Sequence, residues 1–321
     1  MRVLVQVTRG GVVESAHQGA LAVADADGTL IGGLGDVDAL VFPRSALKPF
    51  QALATQRLLA TTGQAIAPLG LAIACASHTG APAARVEAGR LLACAGLDES
   101  ALRCPPAWPH DTAALRAADA PTPLAHNCSG KHAAFLWAHT AAGGEPAGYL
   151  DEGAPLQQQV RDTLAELAGT APTGPAVDGC GAPAWRLPLM RVAVAYARLA
   201  RGAPTGEVLA AMTAHPELVG GPGCADSALM AADARVVAKR GAEGVLAAGL
   251  MTHRGPVGVA VKIADGANRA PAPPVAAVLR ALGATVPGDL LRTAIPPAGQ
   301  PQGWVEATPY VVDWAAELPA G

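Results

Sequence analysis

The chain has 321 residues, 51% of them apolar and 15% charged, with a formal net charge of −3 at pH 7. A chain of this length and apolarity can bury a sizeable core, which excludes intrinsic disorder, and its weak negative charge offers no basic field for nucleic acid. No run reaches the roughly 20 apolar residues that span a bilayer, so the expected partner is a small soluble molecule, with no nucleic acid and no membrane.

The N-terminal residues Met1 to Arg9 pass straight into a strand-like alternation. They lack the longer apolar segment and small-residue cleavage site of a signal peptide, which makes the cytoplasm the expected location. Residues 3–8 and 20–34 read as strands, and Asp25-Ala-Asp-Gly28 supplies turn residues for an antiparallel hairpin. From Ser45 the apolar residues Leu47, Phe50, Leu53 and Leu58 take the spacing of a buried helix stripe. Pro49 is tolerated only in an opening turn, so Ser45 is the expected N-cap. Gly70 to Cys75 is a short continuous apolar run that places Ser77 at a strand-to-helix junction before a helix over 81–95. The proline-rich stretch 103–127 reads as irregular chain leading into His126-Asn-Cys-Ser-Gly-Lys-His132 and a helix to about residue 141. Further helices are expected over 154–168, 186–201, 205–213, 225–233 and 273–283. Gly255-Pro256 then opens a strand in which Val257, Val259, Val261 and Ile263 alternate with Gly258, Ala260, Lys262 and Ala264. The Pro/Gly-rich segment 294–303 reads as a terminal connection. Length allows one catalytic unit over 1–321, with room for two intimately packed lobes.

Lysine is scarce, at four residues against nineteen arginines, and three of the four stand in Ser45-Ala-Leu-Lys48, Cys128-Ser-Gly-Lys131 and Val261-Lys262-Ile263. Arginine cannot replace a lysine that must shed its proton, so this placement points to serine–lysine chemistry. Residues three apart share a helix face, which lets Lys48 meet Ser45. A neutral amine there would accept the hydroxyl proton as the oxygen attacks a carbonyl, provided that burial or a second cation keeps the amine uncharged. The plain alternative is a capping serine followed by a surface lysine. Ser77 and Lys262 suggest a second pair, the alternative for Lys262 being a strand-edge charge in solvent. No Gly-x-Ser-x-Gly elbow is present, Cys128-Ser-Gly-Lys131-His132 lacks the upstream glycine and the Ser/Thr of a P-loop, and the companion motifs of class A β-lactamases are missing.

Six widely scattered cysteines in a chain of this kind read as free or metal-bound thiols. Cys128 and Lys131 fall within one turn of a helix start, and Asp178-Gly179-Cys180-Gly181 is a glycine-bounded loop. Thiolates and carboxylates are competent zinc ligands, with His132 as a fourth ligand or an orienting group, while buried inert thiols are the alternative. His78, beside Ser77, is a candidate pocket-lining residue. Arg44 is a candidate clamp for a substrate carboxylate, since guanidinium grips carboxylate bidentately.

Taken together, Pro43-Arg-Ser-Ala-Leu-Lys-Pro49, Ser77-His-Thr-Gly80, His126 to His132, Asp178-Gly-Cys-Gly-Ala-Pro183, Lys239-Arg-Gly-Ala-Glu-Gly244 and Lys262-Ile-Ala-Asp-Gly266 resemble, in one order over about 40–270, the rhizobial-type (class 3) L-asparaginases of the asparaginase II family. The resemblance implies an α+β fold with a mixed, largely antiparallel sheet and flanking helices, similar to serine β-lactamases, penicillin-binding proteins and serine-dependent glutaminases. It implies an amidohydrolase that converts L-asparagine to L-aspartate and ammonia, a homodimer, and two tandems matching Ser45–Lys48 and Ser77–Lys262. It also implies a zinc site matching Cys128, Lys131 and Cys180, with Asp178 and His132 close by; Arg44, His78, Asp178 and His132 are the candidate substrate-binding residues. The chain departs from the family pattern at Glu152-Gly-Ala-Pro155, at Cys224-Ala and over the C-terminal 40 residues. A related amidase acting on glutamine or another amide is the nearest alternative, and a zinc-binding protein without turnover on the same scaffold is the second.

Overall fold

A computed structural model of the chain describes residues 2–295 and 302–319. Its strands are β1 (Arg2–Arg9), β2 (Val12–Asp25), β3 (Leu30–Leu34), β4 (Leu40–Val41), β5 (Thr173–Val177), β6 (Pro183–Pro188), β7 (Val236–Gly241), β8 (Val245–Thr252), β9 (Gly255–Ile263), β10 (Arg292–Ile295) and β11 (Gly303–Ala307). The helices that matter here are α1 (Lys48–Ala60), α2 (Pro68–Cys75), α3 (Pro82–Cys94), α4 (Thr112–Arg116), α5 (Ser129–Ala141), α6 (Pro155–Ala168) and α7 (Leu189–Arg201). The chain forms two units: Met1–Ala46, Leu187–Thr205 and Ala228–Gly321 make the first, Leu47–Arg186 and Gly206–Ser227 the second.

The first unit is built on an antiparallel sheet in the order β10-β11-β1-β2-β9-β8-β7, with β3 also paired to β2. This is the α+β architecture expected from the sequence. Gly10 and Gly11, at φ 56° and 82°, turn β1 into β2 in a conformation that glycine adopts without penalty. Asp25 closes the next hairpin, its Oδ1 accepting from the backbone N–H of Asp27 at 2.9 Å and of Thr29 at 2.8 Å. The second strand therefore begins at Val12, where the sequence reading began it at residue 20. Val12–Ala16 is exposed throughout, so no alternation marks it as strand.

A helix lies directly on this sheet because two glycines face it. Gly249 and Gly258 are register partners in β8 and β9. A Cβ on Gly258 would stand 1.8 Å from the Ala193 carbonyl oxygen, and one on Gly249 would stand 2.2 Å from that of Tyr196. The small-residue face of β9 is thus the face that receives α7, whose Leu189, Val192, Tyr196 and Leu199 are buried. Each such side chain contributes about 1.5–3 kcal/mol on leaving water.

The second unit is helical, with α1 packed on α5 and α6, and α2 on α3 and α5; within it β5 pairs with the start of β6. Two sequence expectations are corrected here. Pro68–Cys75 is a helix, not a strand, so Ser77 follows one helix and precedes another. A short apolar run does not distinguish a buried strand from a buried helix, and the proline in the first turn settles it here. Ser45 is not a helix N-cap. Arg44–Leu47 is a 3-10 turn, α1 begins at Lys48, and Leu47 precedes it without a side-chain cap. The expected helices over 81–95, 154–168, 186–201, 205–213, 225–233 and 273–283 stand within a few residues of those limits. The expected connection at 294–303 lies outside the described residues over 296–301. Among the described residues no helix is long and apolar enough to cross a membrane, and none of the six cysteines is in a disulfide.

Candidate active site

Lys48, the first residue of α1, is only 1% exposed. Its Nζ stands 2.5 Å from the Ala76 carbonyl oxygen, 3.1 Å from Ser77 Oγ and 3.2 Å from the Asn127 carbonyl oxygen. The two carbonyls only accept, so they take two N–H groups whatever the charge of the amine. The third direction faces a hydroxyl that either accepts or donates. An ammonium donates to all three oxygens; a neutral amine keeps the two carbonyls and turns its lone pair on the Ser77 proton. This is the geometry of a base facing its nucleophile.

Ser77 is buried and braced by the backbone. Its N–H donates to the Val219 carbonyl at 2.8 Å, and the Thr79 carbonyl just beyond accepts from the N–H groups of His110 and Asp111 at 2.7 and 2.9 Å. The His78 ring is held by two hydrogen bonds. Its Nδ1 accepts from the Gly80 N–H at 3.0 Å, and its Nε2 stands 2.9 Å from Ser129 Oγ. Burial first, then the positive Lys48 and the imidazoles of His126 and His110, bring the His78 pKa down to about 3. Both ring nitrogens are engaged, which leaves neither for a ligand.

A second cluster surrounds the start of α5. Lys131 Nζ stands 3.2 Å from Cys180 Sγ, and both side chains are buried. The Cys128 thiol is held well below its ordinary range, chiefly by a hydrogen bond from Cys180, with Lys48 and Lys131 adding positive charge against the opposing effect of burial. For Lys131, burial disfavours the ammonium, but the sulfurs of Cys180 and Cys128, with Asp178 beyond them, outweigh it and raise the pKa. His132 is fully buried; its Nδ1 stands 2.7 Å from the Tyr149 hydroxyl, whose oxygen also accepts from the Arg103 N–H. That leaves His132 Nε2 buried without a hydrogen-bond partner on the side of Cys180. Burial lowers the His132 pKa to about 4. Asp178 shapes its own loop, its Oδ1 accepting from the Gly179 N–H at 2.6 Å. Among the described residues no group of three or more His, Cys, Asp and Glu side chains is arranged to hold a metal; the cluster here has two thiols and an amine.

Arg44, Ser45 and Lys262 belong to the first unit. Arg44 has φ 55°, a left-handed conformation uncommon for a residue with a side chain. Lys262 donates to the carbonyl oxygens of Glu243 and Ile263. Burial lowers its pKa and the like charge of Arg44 adds to this, while Glu243 and Asp265 oppose it. The hydroxyl that meets the Lys48 amine is therefore that of Ser77, where the sequence suggested Ser45.

Two residues of this neighbourhood escaped the sequence reading. His126 accepts the Cys128 N–H on Nδ1 at 3.0 Å and lies in the field of Lys48, Lys131, Cys180 and Asp178. Ser129 holds His78. Both stand inside the quoted motif, but their roles run through backbone groups that spacing does not reveal.

No curated protein matches the chain in sequence. Among solved structures it is similar to Mglu, crystallised in its native form in the presence of 4.3 M NaCl, with 17% identity over 77% of this chain and 56% of that one and a TM-score of 0.40. A family model described as L-asparaginase II matches residues 5–302, well beyond the span of the short motifs. The chain belongs to the L-asparaginase II family.

Proposed function

We propose that this protein hydrolyses L-asparagine to L-aspartate and ammonia through an acyl-enzyme on Ser77, with Lys48 as its base. The observation that carries this reading is the buried Lys48 amine 3.1 Å from Ser77 Oγ, its other two directions tied to carbonyls. The Ser77 hydroxyl proton passes to Lys48 as Oγ bonds to the side-chain amide carbon of the substrate. Lys48 returns that proton to the amide nitrogen, the C–N bond breaks, and ammonia leaves. Water then attacks the Ser77 ester, gives its proton to Lys48, and aspartate departs as the serine regains its hydrogen. The motif resemblance implies a second serine–lysine tandem. The same resemblance suggests a homodimer.

Cys128, Lys131 and Cys180 are the residues that would hold zinc. Two buried thiols beside an amine, with the orphaned His132 Nε2 at their side, form a donor set suited to a soft divalent ion. Bound there, the metal would fasten the 178–181 loop to the first turn of α5 or orient the amino-acid end of the substrate.

Ammonia release is measured from asparagine, glutamine and simple amides for the wild type, Ser77→Ala and Ser45→Ala, with intact-mass detection of the acyl adduct. Asparagine turnover with the adduct on Ser77 is expected. An adduct on Ser45 would reverse the assignment of the two serines, and preference for glutamine would replace the substrate while leaving the machinery.

A further inference from the structure

We infer that Ser129 is a positioning residue for the Ser77–Lys48 pair, acting through a neutral His78 locked in one tautomer. The inference rests on the reading of Ser77 as the activated serine. Its basis is a chain of three hydrogen bonds whose ends fix every direction in between. Gly80 N–H donates to His78 Nδ1 at 3.0 Å, so that nitrogen carries no proton and the ring proton sits on Nε2. His78 Nε2–H then donates to Ser129 Oγ at 2.9 Å, and the Ser129 hydroxyl donates to the Leu124 carbonyl at 2.9 Å. A backbone N–H opens the chain and a backbone carbonyl closes it, so no other proton arrangement satisfies all three bonds. A charged His78 would set its Nδ1–H against the Gly80 N–H.

The consequence is mechanical. The Lys48 amine draws its partners from two segments: Ala76 and Ser77 lie on one, Asn127 on the other. The His78–Ser129 bond joins those segments one residue past Ser77 and two past Asn127. Glycines bring the backbones into contact on either side of it. A Cβ on Gly80 would stand 3.0 Å from the Ala125 carbonyl oxygen, and one on Gly130 would stand 2.4 Å from that of Ile73. Ser129 is fully buried and His78 is 2% exposed, so water cannot replace a lost partner. Removing the Ser129 hydroxyl leaves the His78 N–H without an acceptor and releases a side-chain tie between the two segments that supply the partners of Lys48.

The test compares wild type, Ser129→Ala and Ser129→Thr, the last keeping the hydroxyl. Acylation of Ser77 by a fluorophosphonate serine probe is followed by intact mass and peptide mapping, alongside kcat and KM for asparagine. Ser129→Ala is expected to slow both Ser77 labelling and kcat by about 10- to 100-fold, the effect of an ångström-scale displacement, with KM within about twofold. Ser129→Thr is expected to restore most of the rate. Wild-type labelling rate and kcat in Ser129→Ala would overturn the inference, as would a parallel rise in KM. Because a variant can fail to fold, nitrogen-15 spectra of the wild-type imidazoles at pH 7 provide a second reading: a neutral His78 with its proton on Nε2 is expected, and a charged ring or a proton on Nδ1 overturns the proposal. A probe adduct on Ser45, with His78 in the expected tautomer, would instead count against the choice of Ser77 and so against the positioning role assigned relative to it.

Discussion

Replacing Lys48 separates the two things its amine can do. Lys48→Met keeps much of the length of the chain but leaves the Ala76 and Asn127 carbonyls without their donor. Each buried group left unpartnered costs about 1–3 kcal/mol, and removing a buried amine offsets part of that. A net loss of stability of roughly 2 kcal/mol follows, which a well-folded domain survives. General-base catalysis by a positioned side chain is worth typically 10²–10⁴-fold, about 3 to 5 kcal/mol of barrier, so kcat falls by that factor. Lys48→Arg is the sharper variant. A guanidinium still donates to carbonyls, but it cannot release a proton at any working pH. If Lys48 served only to tie Ala76 and Asn127 together, arginine would preserve part of the rate; if it is the base, arginine is as inactive as methionine. The assay is ammonia release at saturating asparagine, with urea unfolding to establish that each variant is folded. A folded Lys48→Arg protein within tenfold of wild-type kcat would refute the base assignment.

Three further perturbations test other parts of the structure. Gly258→Ala places a Cβ 1.8 Å from the Ala193 carbonyl oxygen and 2.7 Å from the Ala197 nitrogen; backbone atoms do not step aside as side-chain ends do, so a loss above about 3 kcal/mol is expected in urea unfolding, and an unchanged midpoint would contradict the seating of α7 on the sheet. Asp233 is held by a hydrogen bond from the Arg235 side chain and by the backbone of Thr285 and Arg235, and its pKa is lowered from 3.8 to about 2. A folded pKa below the unfolded one stabilises the protein fully above about pH 4, and this contribution is lost as the pH falls towards 2. Melting temperature should therefore drop over that window in wild type and drop less in Asp233→Asn, equal slopes being the contrary result. Purified protein should carry about one zinc per chain by elemental mass spectrometry, and Cys180→Ser should lose most of it; full retention in a Cys128→Ser, Cys180→Ser double variant would remove the metal from this site.

Much of the fold was legible where side-chain period and backbone punctuation agree. The alternation in 255–263 gave both the strand and its small-residue face, and the structure shows why that face is small: the α7 backbone lies where Cβ atoms would be. Proline stands in the first turn of α1, α3 and α6, although the reading of Pro49 set the helix start at Ser45 and not at Lys48. The same signal was present before α2, but six continuous apolar residues carry no period, so burial on all sides hid the distinction between helix and strand. The first half of β2 was lost for the opposite reason. It is exposed, and its position is fixed by pairing with β1 and by the Gly10–Gly11 turn, not by any pattern of its own.

The candidate site was legible in its residue types and less so in its pairings. Scarcity of lysine singled out Lys48, Lys131 and Lys262; the first two are buried and the third half-buried, while Lys239, which it passed over, is fully buried. Spacing then coupled Lys48 to Ser45, because three residues along a helix make neighbours. That rule needs both residues inside the same regular helix, and here the helix starts at Lys48 itself, after a 3-10 turn entered through the left-handed Arg44. A side chain in the first turn of a helix leans back towards and past the helix start. It therefore finds its partners among whatever chain lies there, which in this protein is the end of α2 and the approach to α5. Nothing local encodes those neighbours. The two segments meet because Gly80 and Gly130 admit a close approach of backbones and because Ser129 ties His78, so the partner of Lys48 is fixed by residues about 30 and 80 positions away. The glycines and the serine were visible in the quoted motifs; their meaning was not, because it is carried by backbone carbonyls and N–H groups that every sequence possesses.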